Sequence, residues 1–299
     1  MSVHHQAGFD RPITTTTLRA RKSEGRRIVM VTAYDTPGAR LVDEAGVDAI
    51  LVGDSLGMTV LGFDSTLPVT LDDMVRHTAA VTRGASHALV VADMPFMSFQ
   101  ASVSDALRSA GRLMAEGGAK AVKLEGGRAV AETVAKMTEA GIPVMGHLGL
   151  TPQSVHQLGG YRLQAKDAAA ATALLDDCRA LQDAGAFAVV LECIPAELAV
   201  IASGELDVPT IGIGAGVGCD GEVQVFHDLL GLGGDFVPKH AGRYADIGQE
   251  IRAAVAKYAD DVREGVFPGE AQSSHMDAQV LEELRAARSG SVRRLAGGE

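Results

Sequence analysis

Short apolar runs recur along the chain at intervals of tens of residues, and most of them end at a polar or charged position. The runs are continuous rather than alternating, which is typical of parallel strands that are covered on both faces. They predict eight strands, at about 29–34, 49–54, 88–93, 121–125, 143–147, 188–192, 209–214 and 235–239.

Between these runs the apolar positions follow helical spacing. Residues 103–114 place apolar side chains three or four positions apart after Ser102, and residues 174–181 do so after Asp167; both Ser and Asp favour the start of a helix. The junction Glu44–Ile50 reads as a helix end, a left-handed glycine and the entry into a strand. Similar junctions recur at 116–122, 139–144 and 183–189.

Alternating helices and strands indicate βα units around a parallel sheet. Eight units predict an α/β fold of the closed (β/α)8 type, a TIM barrel, with a doubly wound open sheet as the alternative. The expected organisation is an N-terminal segment at 1–28, one barrel domain at 29–265 and a helical C-terminal tail at 266–299.

Composition narrows the class of protein. A net charge of -11 argues against a nucleic-acid surface, which needs clustered Lys and Arg. No uncharged stretch reaches the ~20 residues of a membrane helix, and the first 28 residues show no signal peptide. The three cysteines lack CxxC spacing, which suits a reducing compartment. We therefore expect a cytoplasmic protein that acts on small molecules.

Acidic residues end three successive predicted strands. Asp54, Asp93 and Glu125 follow the second, third and fourth apolar runs, and strand ends in a barrel surround one cavity. Carboxylate ligands favour Mg²⁺ over zinc, which prefers histidine and cysteine. The alternative is that each acid only caps the helix that follows it.

Three further residues lie at predicted strand ends. Lys123 lies two positions before Glu125, so both side chains point to the same face, where Lys123 would bind an anionic substrate or pair with one of the acids. His147 ends the fifth strand and is either structural or a hydrogen-bonding or acid/base group. Glu192 ends the sixth strand, away from the proposed metal ligands, where a spare carboxylate would serve as a general base.

Two long connections, 55–70 and 149–166, are expected to form lids or binding walls. The stretch Gly216–Gly221 formally matches GxGxxG and is interpreted as the loop after the seventh strand. A phosphate site there is a minority alternative, because barrels often bind phosphate after strands seven and eight.

Ordered motifs from about residue 13 to 269 resemble the ketopantoate hydroxymethyltransferase family. The matching stretches are Val31–Asp35, Leu51–Met58, Asp64–Thr70, His77–Val81, Ala92–Phe96, Val122–Gly127, Gly146–Ser154, Leu191–Pro195 and Ile211–Gly216. The resemblance implies a (β/α)8 barrel and large homo-oligomers, typically decamers.

The resemblance also implies a reaction. A hydroxymethyl group would pass from methylenetetrahydrofolate to 3-methyl-2-oxobutanoate through a Mg²⁺-stabilised enolate, giving 2-dehydropantoate for pantothenate synthesis. The implied metal ligands are Asp54, Asp93 and Glu125, and the implied proton acceptor is Glu192. The 2-oxo acid would be held by Asp54, Ser55, Asp93 and Lys123, with His147 close by.

The chain departs from the family pattern at a few positions. Ala165 and Lys166 replace the usual Gly-Arg, Glu222 stands where glutamine is common, and the tail after Glu270 diverges.

Two other functions stay open. One is a Mg²⁺-dependent lyase or mutase like the phosphoenolpyruvate mutase and isocitrate lyase group, and the other is a non-catalytic 2-oxo acid sensor. Folate-dependent turnover separates all three.

Overall fold

The computed structural model describes residues 11–233 and 238–295. Within them, parallel strands form one closed ring in chain order. They are β1 Ile28–Thr32, β2 Ala49–Val52, β3 Leu89–Asp93, β4 Ala121–Glu125, β5 Val144–Gly149, β6 Ala188–Glu192, β7 Thr210–Ile213 and β8 Gly221–Gln224. The ring closes because β8 pairs in parallel with both β7 and β1. The predicted (β/α)8 barrel is confirmed, and the open sheet is excluded.

The eighth strand is Gly221–Gln224, so the prediction that 235–239 forms it is wrong. Residues 234–237 lie outside the described part of the chain, and Pro238 and Lys239 belong to no strand. Strand β8 lacks a continuous apolar run because only Val223 packs in the barrel interior. Gly221 begins this strand rather than a helix, so the GxGxxG stretch has no helix N-terminus for a phosphate.

Helices follow most strands. In the described residues they are α1 Thr15–Ser23, α2 Thr36–Glu44, α3 Leu56–Thr59, α4 Leu71–Gly84, α5 Val103–Ala115, α6 Ala131–Glu139, α7 Val155–Leu158, α8 Ala168–Asp183, α9 Ala196–Glu205, α10 Phe226–Leu230, α11 Ile247–Arg263 and α12 Ala278–Leu295. Short 3-10 turns occupy Arg128–Val130, Pro152–Ser154 and Glu270–Gln272. None of these helices is both long enough and apolar enough to cross a membrane.

The local signals in the sequence act as predicted. The Ser102 hydroxyl accepts a hydrogen bond from the Asp105 N–H at the start of α5, and the Asp167 carboxylate accepts one from Ala170 at the start of α8. The glycine of the repeated junction is left-handed, with φ 83° at Gly46, a conformation that only glycine adopts without strain.

Alternation along the strands divides the core into two clusters. Side chains such as Ile50 and Val122 pack outward against the helices, and Leu51 and Val91 pack inward in the barrel. The N-terminal helix α1 completes the inner cluster with Leu18, which is fully buried. The helix lies across the N-terminal ends of the strands, because Arg21 pairs with Asp48 before β2 and Lys22 pairs with Asp220 before β8. The C-terminal ends of the strands are therefore left to form the site.

The chain divides into two compact units, one ending at Asp246 and the other beginning at Ile247. The first holds the barrel and α1–α10. The second holds α11 and α12. The predicted domain boundaries at residues 28 and 265 stay predictions. Within the second unit, the rings of Tyr258 and Phe267 meet edge to face at 5.5 Å.

Candidate active site

Side chains alternate between the two faces of each strand, and five polar side chains therefore point into the C-terminal mouth of the barrel. In β4, Ala121 packs inside, so Lys123 and Glu125 point inward as well. Alternation places Asp93, His147 and Glu192 on the same inner face of their strands. The sheet register then sets Asp93 beside Lys123 and Glu125 beside His147. The structure therefore brings these five side chains together at one end of the barrel.

Lys123 and two of the acids form one buried contact network. The Lys123 ammonium lies 2.7 Å from Asp93 Oδ1, with only 5% and 4% of the two side chains exposed. Asp93 Oδ2 accepts a hydrogen bond of 3.0 Å from the backbone N–H of Asp54. The ion pair that the sequence left as an alternative for Lys123 is therefore present.

His147 connects this network to Glu192. Its Nε2 lies 3.1 Å from Glu192 Oε2, and its Nδ1 lies 3.6 Å from Glu125 Oε1. The Lys123 ammonium is 3.2 Å from the same Nδ1. Glu192 is thus one imidazole away from Glu125, although the sequence analysis placed it apart from the proposed metal ligands.

Burial and charge oppose each other at His147. Burial and the Lys123 ammonium lower the pKa of His147, but the facing carboxylates of Glu125 and Glu192 outweigh them and raise it to about 9. The same balance holds at Lys123, where Asp93, Glu125 and Asp54 outweigh burial and raise the pKa of the ammonium. Both pKa shifts therefore favour the charged form of the side chain.

In the acids, by contrast, the pKa shifts disfavour the charged form. Burial, and then repulsion by Asp93 and Glu125, raise the pKa of Asp54 well above its ordinary value. Burial also raises the pKa of Asp93, against the opposing effect of Lys123. Three carboxylates thus share the single ammonium of Lys123, which leaves the cluster short of positive charge.

Ser55 lies next to these acids at the start of α3. The hydroxyls of Ser55 and Tyr34 are 2.9 Å apart, and the Tyr34 side chain is buried. The Tyr34 backbone carbonyl in turn lies 2.6 Å from His77 Nδ1. Ser55 is therefore held at the edge of the acid cluster by a tyrosine that the sequence analysis did not identify as a site residue.

Gln153 is the central residue that sequence reasoning missed. It lies in the 3-10 turn Pro152–Ser154 after β5, and it is only 7% exposed. Its side-chain amide donates to Asp54 Oδ2 at 2.8 Å, and its backbone N–H donates to Glu125 Oε2 at 3.0 Å. The one sequence feature that marks Gln153 is its place in the stretch Gly146–Ser154, which matches the family pattern.

The two long loops meet over the mouth of the barrel. Tyr161, in the 149–166 connection, places its hydroxyl 3.7 Å from the sulfur of Met58 in the 55–70 connection. Burial, and then the charge of Glu192, raise the pKa of Tyr161. The tyrosine therefore overlies the site while half of its surface stays exposed, which fits the wall predicted from these loops.

The carboxylates of Asp54, Asp93 and Glu125 form the candidate donor set for a hard divalent cation. Within 11–233 and 238–295, no group of three His, Cys, Asp or Glu side chains already stands in metal-binding geometry. The protein's own groups hold the acid oxygens instead, with Lys123 on Asp93 and Gln153 on Asp54. The chemistry of the donors fits Mg²⁺ nevertheless, because the set is all oxygen and carries excess negative charge.

Comparison with known proteins adds to this geometry. The ketopantoate hydroxymethyltransferase family profile matches residues 12–270. The chain is 55% identical over 272 residues to the 3-methyl-2-oxobutanoate hydroxymethyltransferase of Carboxydothermus hydrogenoformans, covering 91% of this chain and 99% of that one. It is 59% identical over 269 residues to the protein of the same name from Gluconacetobacter diazotrophicus, covering 90% and 97%.

Among solved structures, the chain resembles a phosphonopyruvate hydrolase with a TM-score of 0.58 at 16% identity. That alignment covers 94% of this chain and 98% of the hydrolase. At this identity the likeness shows a shared barrel fold alone.

Proposed function

The chain belongs to the ketopantoate hydroxymethyltransferase family and is a hydroxymethyl-transferring enzyme of pantothenate synthesis, and we propose that it takes the one-carbon unit from methylenetetrahydrofolate with the help of Mg²⁺. The observation that most supports this proposal is one buried network. In it, the carboxylates of Asp54, Asp93 and Glu125 surround the Lys123 ammonium, and His147 joins them to the carboxylate of Glu192. This network supports a cation-binding part and a proton-accepting part that are joined by His147.

In this proposal Asp54, Asp93 and Glu125 hold the Mg²⁺ ion. Their shared negative charge, which contributes to the raised pKa of Asp54, is relieved when a divalent cation binds. When bound, Mg²⁺ supplies a Lewis acid beside the 2-oxo group of the substrate.

The protein groups around the acids bind the substrate. The carboxylate of 3-methyl-2-oxobutanoate needs a cation in a buried place, and Lys123 keeps its charge there. Ser55 offers a hydroxyl that Tyr34 already orients. His147, whose pKa is raised by the facing carboxylates Glu125 and Glu192, adds positive charge beside the substrate when it is protonated.

Glu192 is the proton acceptor. Its carboxylate takes the C3 proton, and the electron pair left on C3 forms the new bond to the one-carbon unit. Both bonds between that unit and the two folate nitrogens break, and water supplies the hydroxyl oxygen. The C3 proton and the second proton of the water end on those two nitrogens. The 3.1 Å contact with His147 Nε2 orients the Glu192 carboxylate for this transfer. A positioned general base typically contributes about 10²–10⁴ in rate.

The lyase or mutase alternative gains no support from the chemistry of the site. That group typically uses a catalytic cysteine, and Cys193 follows Glu192 directly. Burial, and then the Glu192 charge, raise the pKa of Cys193 to about 11. A thiol with this pKa is protonated at neutral pH and is a poor nucleophile. The homo-oligomer implied by the resemblance and the cytoplasmic location expected from the composition stay predictions.

Product formation tests the proposal. The enzyme is freed of metal with EDTA and incubated with 3-methyl-2-oxobutanoate, with and without methylenetetrahydrofolate and with and without MgCl₂. We expect 2-dehydropantoate only when both the folate and the cation are present. Turnover of the 2-oxo acid without folate would refute the proposed one-carbon donor. Full activity in EDTA would refute the metal.

A further inference from the structure

Gln153 contacts two of the proposed cation ligands at once. Its side chain holds Asp54, which follows β2, and its backbone holds Glu125, which ends β4. These two acids approach the site from strands on either side of β3, the strand that carries Asp93. One residue therefore fixes the separation of two carboxylates that belong to different strands.

The orientation of the Gln153 amide is fully determined by its partners. Its Nε2 donates to two acceptors, Asp54 Oδ2 at 2.8 Å and the Met94 carbonyl at 2.9 Å. Its Oε1 accepts a hydrogen bond of 3.0 Å from Gln100 Nε2. If the amide turned over, its oxygen would face two acceptors and its NH₂ group would face a donor.

Gln100 makes this contact from an exposed position. It follows β3 and lies at the surface, while its amide reaches inward to Gln153. The residue is exposed, so changing it removes no buried side chain. It can therefore be altered separately from the buried acids.

We propose that Gln153 is a positioning residue that sets Asp54 and Glu125 for the divalent cation, and that Gln100 sets the orientation of the Gln153 amide. This inference rests on the proposed function, because it takes these acids to be Mg²⁺ ligands. Residues that hydrogen-bond to metal ligands orient those ligands, and their loss typically weakens metal affinity by about 10-fold to 100-fold.

The side-chain contact of Gln153 with Asp54 and its backbone contact with Glu125 can be separated by mutation. In Gln153→Met the backbone N–H to Glu125 remains, whereas the hydrogen bond to Asp54 is lost. Methionine keeps the length of the side chain, so the variant tests the amide rather than the volume. We expect the dissociation constant for Mg²⁺ to rise about 10-fold to 100-fold, as for other partners of metal ligands.

Gln100→Glu gives a sharper test because the substitution has two effects on Mg²⁺ affinity, and these effects have opposite signs. A carboxylate added near a cation site strengthens cation binding by simple electrostatics. In this structure it would also face Gln153 Oε1, an acceptor, and the repulsion would push the Gln153 amide out of the position in which it holds Asp54. We therefore expect weaker Mg²⁺ binding, and weaker than in Gln100→Ala, which only removes the support.

The measurement is calorimetric titration of the metal-free, full-length protein with MgCl₂, with thermal unfolding as a check of folding. Gln279→Glu, on the exposed face of α12, is the control of equal charge and should match the wild type. Mg²⁺ affinity that falls from wild type through Gln100→Ala to Gln100→Glu would support the positioning role.

Two results would overturn the inference, and they are distinguishable. If the wild type binds Mg²⁺ while Gln100→Glu binds it equally or more tightly, the positioning role is wrong and the proposed metal stands. If the wild type binds no Mg²⁺, the metal assignment fails and this inference fails with it. Should Gln153→Met not fold, the Gln100 pair alone decides between these outcomes.

Discussion

Replacing Lys123 with methionine tests whether the acids form one electrostatic unit. The ammonium lies 2.7 Å from Asp93 Oδ1 with 5% of its side chain exposed, and Asp54 and Glu125 are close enough to raise its pKa. Methionine retains the length and apolar stem of lysine and removes only the charge. The substitution therefore leaves the buried carboxylates without their partner.

The expected cost follows from this burial. Breaking a buried ion pair by removing one partner typically destabilises a protein by about 3–5 kcal/mol. For a unit of this size each kcal/mol lowers the unfolding midpoint by about 2–4 °C, which gives a decrease of about 6–20 °C. Loss of the ammonium raises the pKa of Asp93 further, so the cost should grow as the pH rises above the ordinary range of aspartate.

Thermal unfolding in EDTA measures this cost, and the chain supplies a matched control. Lys136 pairs with Glu139 at 2.9 Å, but the two side chains are 52% and 66% exposed. Lys136→Met makes the same chemical change where solvent screens the pair, so its midpoint should barely change. Adding Asp93→Asn to Lys123→Met should restore part of the stability, because it removes the unpaired charge.

Electrostatic coupling of the acids through Lys123 is refuted if Lys123→Met lowers the midpoint no more than Lys136→Met does. It is also refuted if the loss stays constant across pH. Either result would mean that solvent reaches the acid cluster and that the cluster is not short of positive charge.

The remaining predictions concern the cation, the imidazole and one loop residue. Saturating MgCl₂, at 100 times its dissociation constant, should stabilise the metal-free wild type by about 2.7 kcal/mol; Asp54→Asn should lose this gain, and retention of the full gain would contradict its role as a ligand. The pKa of His147 is raised from 6.5 to about 9, so its contribution is complete below pH 6.5 and is lost as the pH rises through 9. Denaturation of the metal-free protein across this range should show the loss, and His147→Gln should abolish the slope. Ala165 is left-handed at φ 52°, so Ala165→Gly should stabilise by about 0.5–1 kcal/mol in urea unfolding, and a destabilised variant would argue against strain.

The barrel could be predicted because seven of its strands carry the apolar runs of a sheet covered on both faces. Strand β8 does not show such an apolar run, because the half-buried polar residues Glu222 and Gln224 flank Val223. Its inward residue alone is apolar. The run at 235–239 fits the pattern better than the true strand, which is why the sequence favoured it.

The candidate site was predictable where chemistry coincides with a strand end. Asp93, Glu125 and Glu192 close strands, and strand alternation gives the direction of their side chains. Gln153 and Gln100 could not be found in this way, because both lie in connections and carry no charge. Their importance comes from hydrogen bonds between segments 53 residues apart, which no local pattern encodes.

Deuterium exchange at C3 of 3-methyl-2-oxobutanoate tests the central claim most directly, because it reports proton removal without the folate. We predict exchange catalysed by the wild type with MgCl₂, and a decrease of about 10²–10⁴ in Glu192→Gln. EDTA should suppress exchange in the wild type to a similar extent. Exchange that persists undiminished in Glu192→Gln would contradict the assignment of the base.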